Sequence, residues 1–290
     1  MSTLFIIGNG FDLFHGLPTR YSDFKGFVEK TDIELFDIIE KYIPAGDDWS
    51  ELEDALSNIH YENILDNQDM FLPSYSCEDW SDSGHHDFEY ETQRKTNKIS
   101  NDLLITCKQW IHTIITKETL PKLNYIDNNS IYLNFNYTDT LSNVYNINES
   151  NIHQIHGNTQ SDKIILGHGN KPEKSVNINK GEDQDTRVAN AYEIIDKCLL
   201  DTYKNTQLVI KQHHFFKLEL SKIENIIILG HSISKVDDEY YYHIINKCNH
   251  INWYIASLSD NDFIQKRKKL NTLGVPIKNI FPIDWNHYNL

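Results

Sequence analysis

Short runs of consecutive apolar residues, each ended by a polar residue or a glycine, recur along the chain. A run of this kind indicates a strand buried on both faces of a parallel sheet, because a half-exposed strand would alternate apolar with polar residues. The first run ends at Gly8, and the most apolar run ends at Gly230. The pattern predicts strands at 4–7, 131–135, 152–155, 163–166, 225–229 and 251–256.

Between these runs, apolar residues recur every three to four positions, which is the spacing of one face of a helix. Strands that alternate with helices are typical of a mostly parallel sheet with helices on both faces. We therefore expect an α/β fold of the Rossmann-like type. The spacing predicts helices at 21–30, 33–42, 49–65, 97–118, 138–146, 186–203, 206–220, 237–248 and 260–273.

No internal repeat or low-complexity linker divides the 290 residues. We expect a single α/β domain over 1–290, with a helical insertion at 31–120 after the first strand. Within the insertion, residues 66–96 are rich in serine, aspartate, glutamate and histidine and show no clear period. An irregular surface segment is expected there.

Charge and cysteine usage narrow the cellular setting. The formal net charge of −15 disfavours a broad basic face for nucleic acid. No apolar run reaches the ~18 residues that span a bilayer, and the first residues lack the basic start of a signal peptide. The four cysteines form no CxxC pair, which indicates reduced thiols. These features predict a cytoplasmic protein.

Polar clusters follow four of the predicted strands, and ligands of open parallel sheets bind beyond the carboxyl ends of the strands. The first cluster contains Gly8, Asn9, Gly10 and Asp12. A glycine turn at this place lets the backbone approach a phosphate, although such turns also arise from packing alone. Asp12 is a candidate for binding a ribose hydroxyl or for capping the next segment. All four are candidate nucleotide-binding residues.

The second and third clusters supply the candidate catalytic residues Asn136 and His156 and the candidate nucleotide-binding residues Asp139 and Gly157. Asn136 and Asp139 follow the second predicted strand. The Asn136 amide can both donate and accept, while a turn or a helix cap is the structural alternative. His156 and Gly157 follow the third strand. An imidazole there can act as a general base near neutral pH, or can be a hydrogen-bonded structural residue.

The fourth cluster follows the most apolar strand. Gly230 and Ser232 suit the binding of a ribose or a phosphate, while a helix cap at Ser234 or Asp237 is the structural alternative. The histidines show neither HxxxH nor HExxH spacing, so no metal site is expected. The GxSxG and GxxxxGK[ST] motifs are absent as well.

The segment 5–24 resembles the opening of the AbiH-like family, bacterial proteins tied to abortive phage infection. The similar segments keep their order over nearly the whole chain, and the resemblance implies an anti-phage abortive-infection effector. Later blocks of the family are similar to Trp49-Ser50-Glu51-Leu52-Glu53, Phe135-Asn136-Tyr137-Thr138, Ile155-His156-Gly157 and Ile228-Leu229-Gly230-His231-Ser232.

A remoter resemblance is to the sirtuin-like NAD-consuming domains. Those domains carry a glycine turn, a glycine-proline segment, an asparagine loop, a His-Gly pair and a Gly-x-Ser turn in this order. Gly10 and Gly16 have the separation of the first two elements. The three later elements are similar to the segments that begin at Asn136, His156 and Gly230.

This second resemblance implies that NAD is the bound substrate. Asn136 would position the nicotinamide ribose or a water, and His156 would act as the base in hydrolysis of the nicotinamide–ribose bond. The sequence departs from the pattern at Thr138, where an acid is expected, with Asp139 one residue further on. The zinc-binding cysteines of protein deacylases are absent too, which argues against acyl-lysine removal.

Two other functions stay open. A nucleotide-binding sensor without turnover would use the same loops, and the irregular insertion would engage a partner. A metal-dependent nuclease would need Asp12, Glu51, Glu53 and Asp139 to converge on a divalent ion. The partners to consider are a nucleotide, further copies of the chain, and a phage-derived or host activator. Neither a membrane nor a nucleic acid is expected.

Overall fold

A computed structural model of the protein describes residues 2–74, 86–117, 120–173, 185–248 and 250–285. By their contacts, the residues form two compact units. We name them the sheet unit and the helical unit. The sheet unit comprises Met1–Arg20, Trp110–Ile165 and Asn205–Leu290, and the helical unit comprises Tyr21–Gln109 and Leu166–Lys204.

Within the described residues, six strands form one sheet in the sheet unit. They are β1 (Ser2–Ile7), β2 (Ile131–Asn134), β3 (Ile152–Gln154), β4 (Ile223–Leu229), β5 (Asn252–Ala256) and β6 (Ile280–Ile283). Their spatial order is β3-β2-β1-β4-β5-β6, and every neighbouring pair is parallel. The expected α/β Rossmann-like fold is confirmed, and this order is the one of doubly wound dinucleotide-binding sheets.

Two strand predictions differ from the structure. Residues 163–166 form no strand, although the Ile165 N–H donates to the His156 carbonyl oxygen at 2.9 Å. Their apolar run reflects burial of a returning loop, since Ile164 is buried. The strand β6 was not predicted. It holds Pro282, a residue confined to sheet edges because it cannot donate a backbone hydrogen bond.

Helices connect the strands and build the helical unit. Predicted bounds agree with the structure at 33–42 and 260–273, and most others shift by a few residues. The helices are α1 (Asn9–Phe14), α2 (Tyr21–Thr31), α3 (Ile33–Tyr42), α4 (Leu52–Ala55), α5 (Tyr61–Asp66), α6 (Asp87–Asn97), α7 (Leu103–Thr113), α8 (Thr140–Tyr145), α9 (Thr186–Asp201), α10 (Thr206–Gln212), α11 (Asp238–Lys247) and α12 (Asp260–Leu273).

Three segments were predicted incorrectly. The single helix expected at 49–65 is broken, because Trp49 has a left-handed φ of 59° and Ile59 is extended. Part of the segment expected to be irregular forms α6, and residues 75–85 of it lie outside the described structure. The helix expected at 97–118 begins with the π-helical turn Lys98–Asp102 and ends at Thr113.

Apolar side chains of β1 alternate between the two faces of the sheet, as the strand geometry requires. Leu4 and Ile6 pack in one cluster with residues of α11 and α12. Phe5 and Ile7 pack in the other cluster, which includes residues of α1 and α8. Helices therefore pack on both faces of the sheet, and the loops that follow the central strands lie beyond their carboxyl ends.

The helical unit has its own apolar contacts. Leu65, Phe88, Ala191 and Tyr192 form a buried cluster from α5, α6 and α9. Trp49 is fully buried against the ring of Phe24, with the ring centroids 5.9 Å apart. Among the helices that the structure describes, none has the length and apolar character needed to cross a membrane.

Candidate functional site

The four polar clusters follow β1, β2, β3 and β4, which are neighbours in the sheet. Because these strands are parallel, their carboxyl ends lie along one edge, and the sheet unit brings the clusters to that edge. We name this region the carboxyl-edge site. The strand order reverses between β1 and β4, which is where ligands of doubly wound sheets bind.

The glycines after β1 and β4 pack backbone against backbone. The Gly8 N–H donates to the Leu229 carbonyl at 2.9 Å, and the Gly10 N–H donates to the Gly230 carbonyl at 2.8 Å. A Cβ on Gly10 would lie 2.7 Å from the Gly230 Cα, and one on Gly8 would lie 2.5 Å from the His231 Cα. Packing therefore accounts for these glycines. The segment is also helical from Asn9 onward, where a loop was expected.

Asp12 connects the first cluster to the second. Its carboxylate is buried and accepts the hydroxyls of Thr138 and Thr140, each at 2.7 Å. Burial raises the pKa of Asp12 to about 6, although both hydroxyls and the Asn136 amide lower it. Because Asp12 is 1% exposed and both of its oxygens accept hydroxyls of the second loop, it is suited to holding that loop in place.

The second loop is fixed on both sides. The Asn136 side-chain amide donates to the Gly8 carbonyl at 3.1 Å, and the Asn136 N–H donates to the Asn134 side chain at 3.1 Å. Asp139 accepts from the Asn158 amide at 3.2 Å and from the Thr159 hydroxyl. Asn136 is thus tied to β1, while Asp139 is tied to the loop after β3.

His156 lies in an aromatic environment at the end of β3. Its side chain is buried, and its ring centroid is 5.3 Å from that of Phe135, with the rings nearly perpendicular. Tyr240 lies 5.9 Å away by the same measure. Gly157 takes a φ of 81°, and a Cβ there would lie 2.6 Å from the Lys163 carbonyl. The glycine therefore lets the chain turn back immediately after the imidazole.

The sequence interpretation missed His231 as a site residue. Its ring packs on Phe135 at a centroid distance of 4.2 Å, so one phenyl ring contacts both this imidazole and His156. The His231 Nε2 lies 3.5 Å from an oxygen of Asp237, a residue considered above only as a helix cap. The position of His231 directly after a strand-end glycine was the available signal.

The remaining predicted residues stand at the same edge. Asn9 is exposed, and its amide donates to the Thr19 carbonyl at 2.8 Å. Gly230 has a φ of 69°, and Ser232 is exposed.

Glu51 and Glu53, which the nuclease alternative requires, belong to the helical unit. Within the described ranges, no three metal-ligating side chains are grouped to hold an ion.

A separate histidine cluster lies beside the edge strand β3. The ring centroid of His153 is 6.3 Å from those of His213 and His214. Burial and, to a smaller extent, the two neighbouring imidazoles lower the pKa of His153 to about 4. His213 is held in place by a hydrogen bond of 3.0 Å to the Gln154 carbonyl.

The His153 cluster predicts acid sensitivity. The pKa of His153 is lower in the folded chain than in the unfolded one, so the unfolded chain takes up more protons as the pH falls below about 6.5. The melting temperature of the unmodified chain should fall between pH 7.5 and pH 5. In His153→Gln this fall should be smaller by roughly 2–4 °C, which corresponds to about 1 kcal/mol of unfolding free energy after solvent screening. His112→Gln, at an exposed position of α7, is the control. Equal narrowing in both variants would contradict the prediction.

The fold and the carboxyl-edge site define a doubly wound α/β protein with histidine, asparagine and serine at the ends of its central strands. The model of the family described as bacteriophage abortive infection AbiH matches residues 4–257, and the chain belongs to this family. The expected membership is confirmed and indicates a role in abortive infection of phage-infected bacteria. No curated protein and no solved structure matches the chain. A relationship to sirtuin-like domains is not shown.

Proposed function

We propose that the protein is an abortive-infection effector that binds NAD at the carboxyl-edge site and hydrolyses its nicotinamide–ribose bond. The observation that carries the proposal is the parallel strand order β3-β2-β1-β4-β5-β6, with Asn136 and His156 following adjacent strands beside the switch point. Sheets of this order hold dinucleotides across that point. Loss of NAD would stop the metabolism that phage replication requires.

In the proposed reaction, the bond between the ribose C1′ and the pyridinium nitrogen breaks, and nicotinamide leaves with the electron pair. The oxygen of a water adds to C1′, and His156 accepts the proton that this water releases. Asn136 positions the water or the ribose, since its amide is fixed by the bond to the Gly8 carbonyl. The aromatic rings around His156 keep the dielectric low.

The remaining predicted residues would serve the rest of the dinucleotide, either by contact or by fixing the loops that make contact. Asp139 and Gly157 lie on the nicotinamide side, after β2 and β3. Gly8, Asn9, Gly10, Gly230 and Ser232 flank the switch point between β1 and β4, where the diphosphate of a dinucleotide lies in this fold. Asp12 would act through the second loop, because its oxygens accept Thr138 and Thr140.

One observation favours a second function, a nucleotide sensor without turnover. His156 is only 5% exposed, so little of it faces the solvent that would supply the hydrolytic water. A binding protein has no need of such access. The nuclease alternative lacks comparable support, because no three metal-ligating side chains are grouped to hold an ion within the residues that the structure describes.

Nicotinamide release from NAD by the purified protein tests the proposal. We expect release that persists in EDTA and falls by at least roughly 100-fold in both His156→Ala and Asn136→Ala. His112→Ala, at an exposed site of α7, controls for loss of a histidine, and circular dichroism checks the fold of each variant. The same two variants should lose protection of cells against phage.

The outcomes separate the functions. NAD binding without nicotinamide release would favour the sensor, and phage protection should then survive His156→Ala. Release that disappears with EDTA would favour metal-dependent chemistry. Neither binding nor release by the unmodified chain would overturn the proposal for NAD.

A further inference from the structure

The loop 230–234, which follows β4, holds backbone conformations that few residues adopt. Gly230 has a φ of 69°, and Ile233 has a φ of 57°. A left-handed conformation is rare for a β-branched residue such as isoleucine, and strained residues of this kind cluster at ligand-binding sites. The strain must be held by neighbouring contacts, and the loop lies at the switch point of the sheet.

The side chain of His231 supplies that contact. Its Nδ1 accepts the Ile233 N–H at 2.9 Å, which closes a small ring across the strained residue. The Tyr241 hydroxyl lies 3.0 Å from the same nitrogen. Because Nδ1 is an acceptor, the proton of a neutral ring lies on Nε2, which faces Asp237 at 3.5 Å. Both ring nitrogens are directed at the protein, so His231 does not touch a ligand.

The loop exposes one polar side chain. Ser232 is exposed, whereas its neighbours His231 and Ile233 are 4% and 3% exposed. The start of the loop is fixed as well, because the Gly230 carbonyl accepts the Gly10 N–H. A serine hydroxyl on a loop held by these hydrogen bonds is suited to donating a hydrogen bond to a phosphate oxygen.

We propose that His231 is a positioning residue that holds loop 230–234 so that Ser232 binds the diphosphate of the nucleotide. This inference rests on the proposed function, since it names the part of the ligand that the switch point holds. The nucleobase and the nicotinamide ribose then lie on either side of this contact, and His156 acts on the bond at the β3 side.

Calorimetric titration with ADP-ribose tests the role of each side chain. We expect Ser232→Ala to weaken binding of ADP-ribose about tenfold, the effect of one lost hydrogen bond to a charged oxygen. His231→Ala should weaken it at least as much, because the loop is released. His231→Asn should bind within about threefold of the unmodified chain, since an asparagine oxygen accepts the same N–H two residues on.

Stability alone cannot produce that result. The alanine and asparagine variants both lose the ring that packs on Phe135, so both should melt at a lower temperature than the unmodified chain. A difference in affinity between them therefore reports on the loop. Ser232 is exposed, so Ser232→Ala keeps the proposal testable if both His231 variants fail to fold.

Adenosine, which lacks phosphate, is the second probe. We expect its weaker affinity to be unchanged by Ser232→Ala, whereas an equal loss for both probes would assign the serine to a ribose and overturn the diphosphate contact. Equal affinity of His231→Ala and His231→Asn would overturn the positioning role. If the unmodified chain binds ADP-ribose and every variant binds it equally, only this inference fails. If the unmodified chain releases nicotinamide from NAD but does not bind ADP-ribose, this inference fails and the proposed function stands. If it neither binds nor hydrolyses NAD, the proposed function fails as well.

Discussion

Replacement of Gly230 by alanine is expected to lower the free energy of unfolding by roughly 4 kcal/mol or more, a loss that few single substitutions reach. The residue has a φ of 69°, and an added Cβ would overlap the Phe11 nitrogen and the Gly10 backbone. Backbone atoms of two adjacent strand ends cannot give way as a flexible side chain can. Urea denaturation of the purified variant, followed by circular dichroism, measures the loss.

Gly16→Ala is the matched control for this prediction. Gly16 has a similar φ of 73°, but a Cβ there would meet nothing within 4 Å. The control therefore isolates the cost of a left-handed backbone, which is about 1 kcal/mol. Equal losses in the two variants would mean that the close approach of Gly230 to Gly10 does not exist in solution.

Elements with an unambiguous apolar pattern were predictable from the sequence. The helix α3 at 33–42 and the helix α12 at 260–273 were predicted with the bounds that the structure has. Each has a clear cap: Asp32 accepts the Leu35 N–H, and Ser259 accepts the Asp262 N–H. The order of strands along the chain then restricted the sheet to a parallel, doubly wound type.

The break at Trp49 and the strand β6 were not predictable in the same way. Trp49 takes its left-handed conformation in a buried aromatic cluster, and its indole donates to Glu40 at 2.6 Å. β6 combines exposed and buried residues around Pro282, so it lacks the apolar run of a central strand. In both cases tertiary contacts outweigh the local pattern, which is the only information that one sequence provides.

In the candidate site, too, some features were predictable from the sequence and others depend on tertiary contacts. The rule that ligands bind beyond strand ends identified four clusters, and the structure brings them to one edge. The pairing of Asp12 with Thr138 and Thr140 could not be predicted, since the partners are 126 and 128 residues apart in sequence. Nor could one sequence decide whether Gly8 and Gly10 serve packing or a phosphate.

Compared with the parent protein, Asp12→Asn is expected to have a more favourable free energy of unfolding at pH 8 than at pH 4. Burial raises the pKa of Asp12 to about 6 from an ordinary value of 3.8. The folded chain therefore binds more protons than the unfolded chain between these values, and its stability falls as the pH rises through them. Asparagine has no such proton. The difference in unfolding free energy between variant and parent should shift in favour of the variant by roughly 2 kcal/mol from pH 4 to pH 8.

Urea denaturation of both proteins at several pH values measures this difference, in which every other titrating group cancels. Asp37→Asn is the control, because Asp37 is exposed on α3. There the same replacement of a carboxyl group by an amide takes place in water. The unfolding free energy of this control, plotted against pH, should run parallel to that of the parent. A parallel curve for Asp12→Asn as well would show that the carboxylate is not buried as the structure has it. The shift would instead show that Asp12 titrates near pH 6 in the folded chain. Because Asp12 accepts the hydroxyls of Thr138 and Thr140, the proposed nicotinamide release should then change its pH profile in Asp12→Asn while His156 is intact.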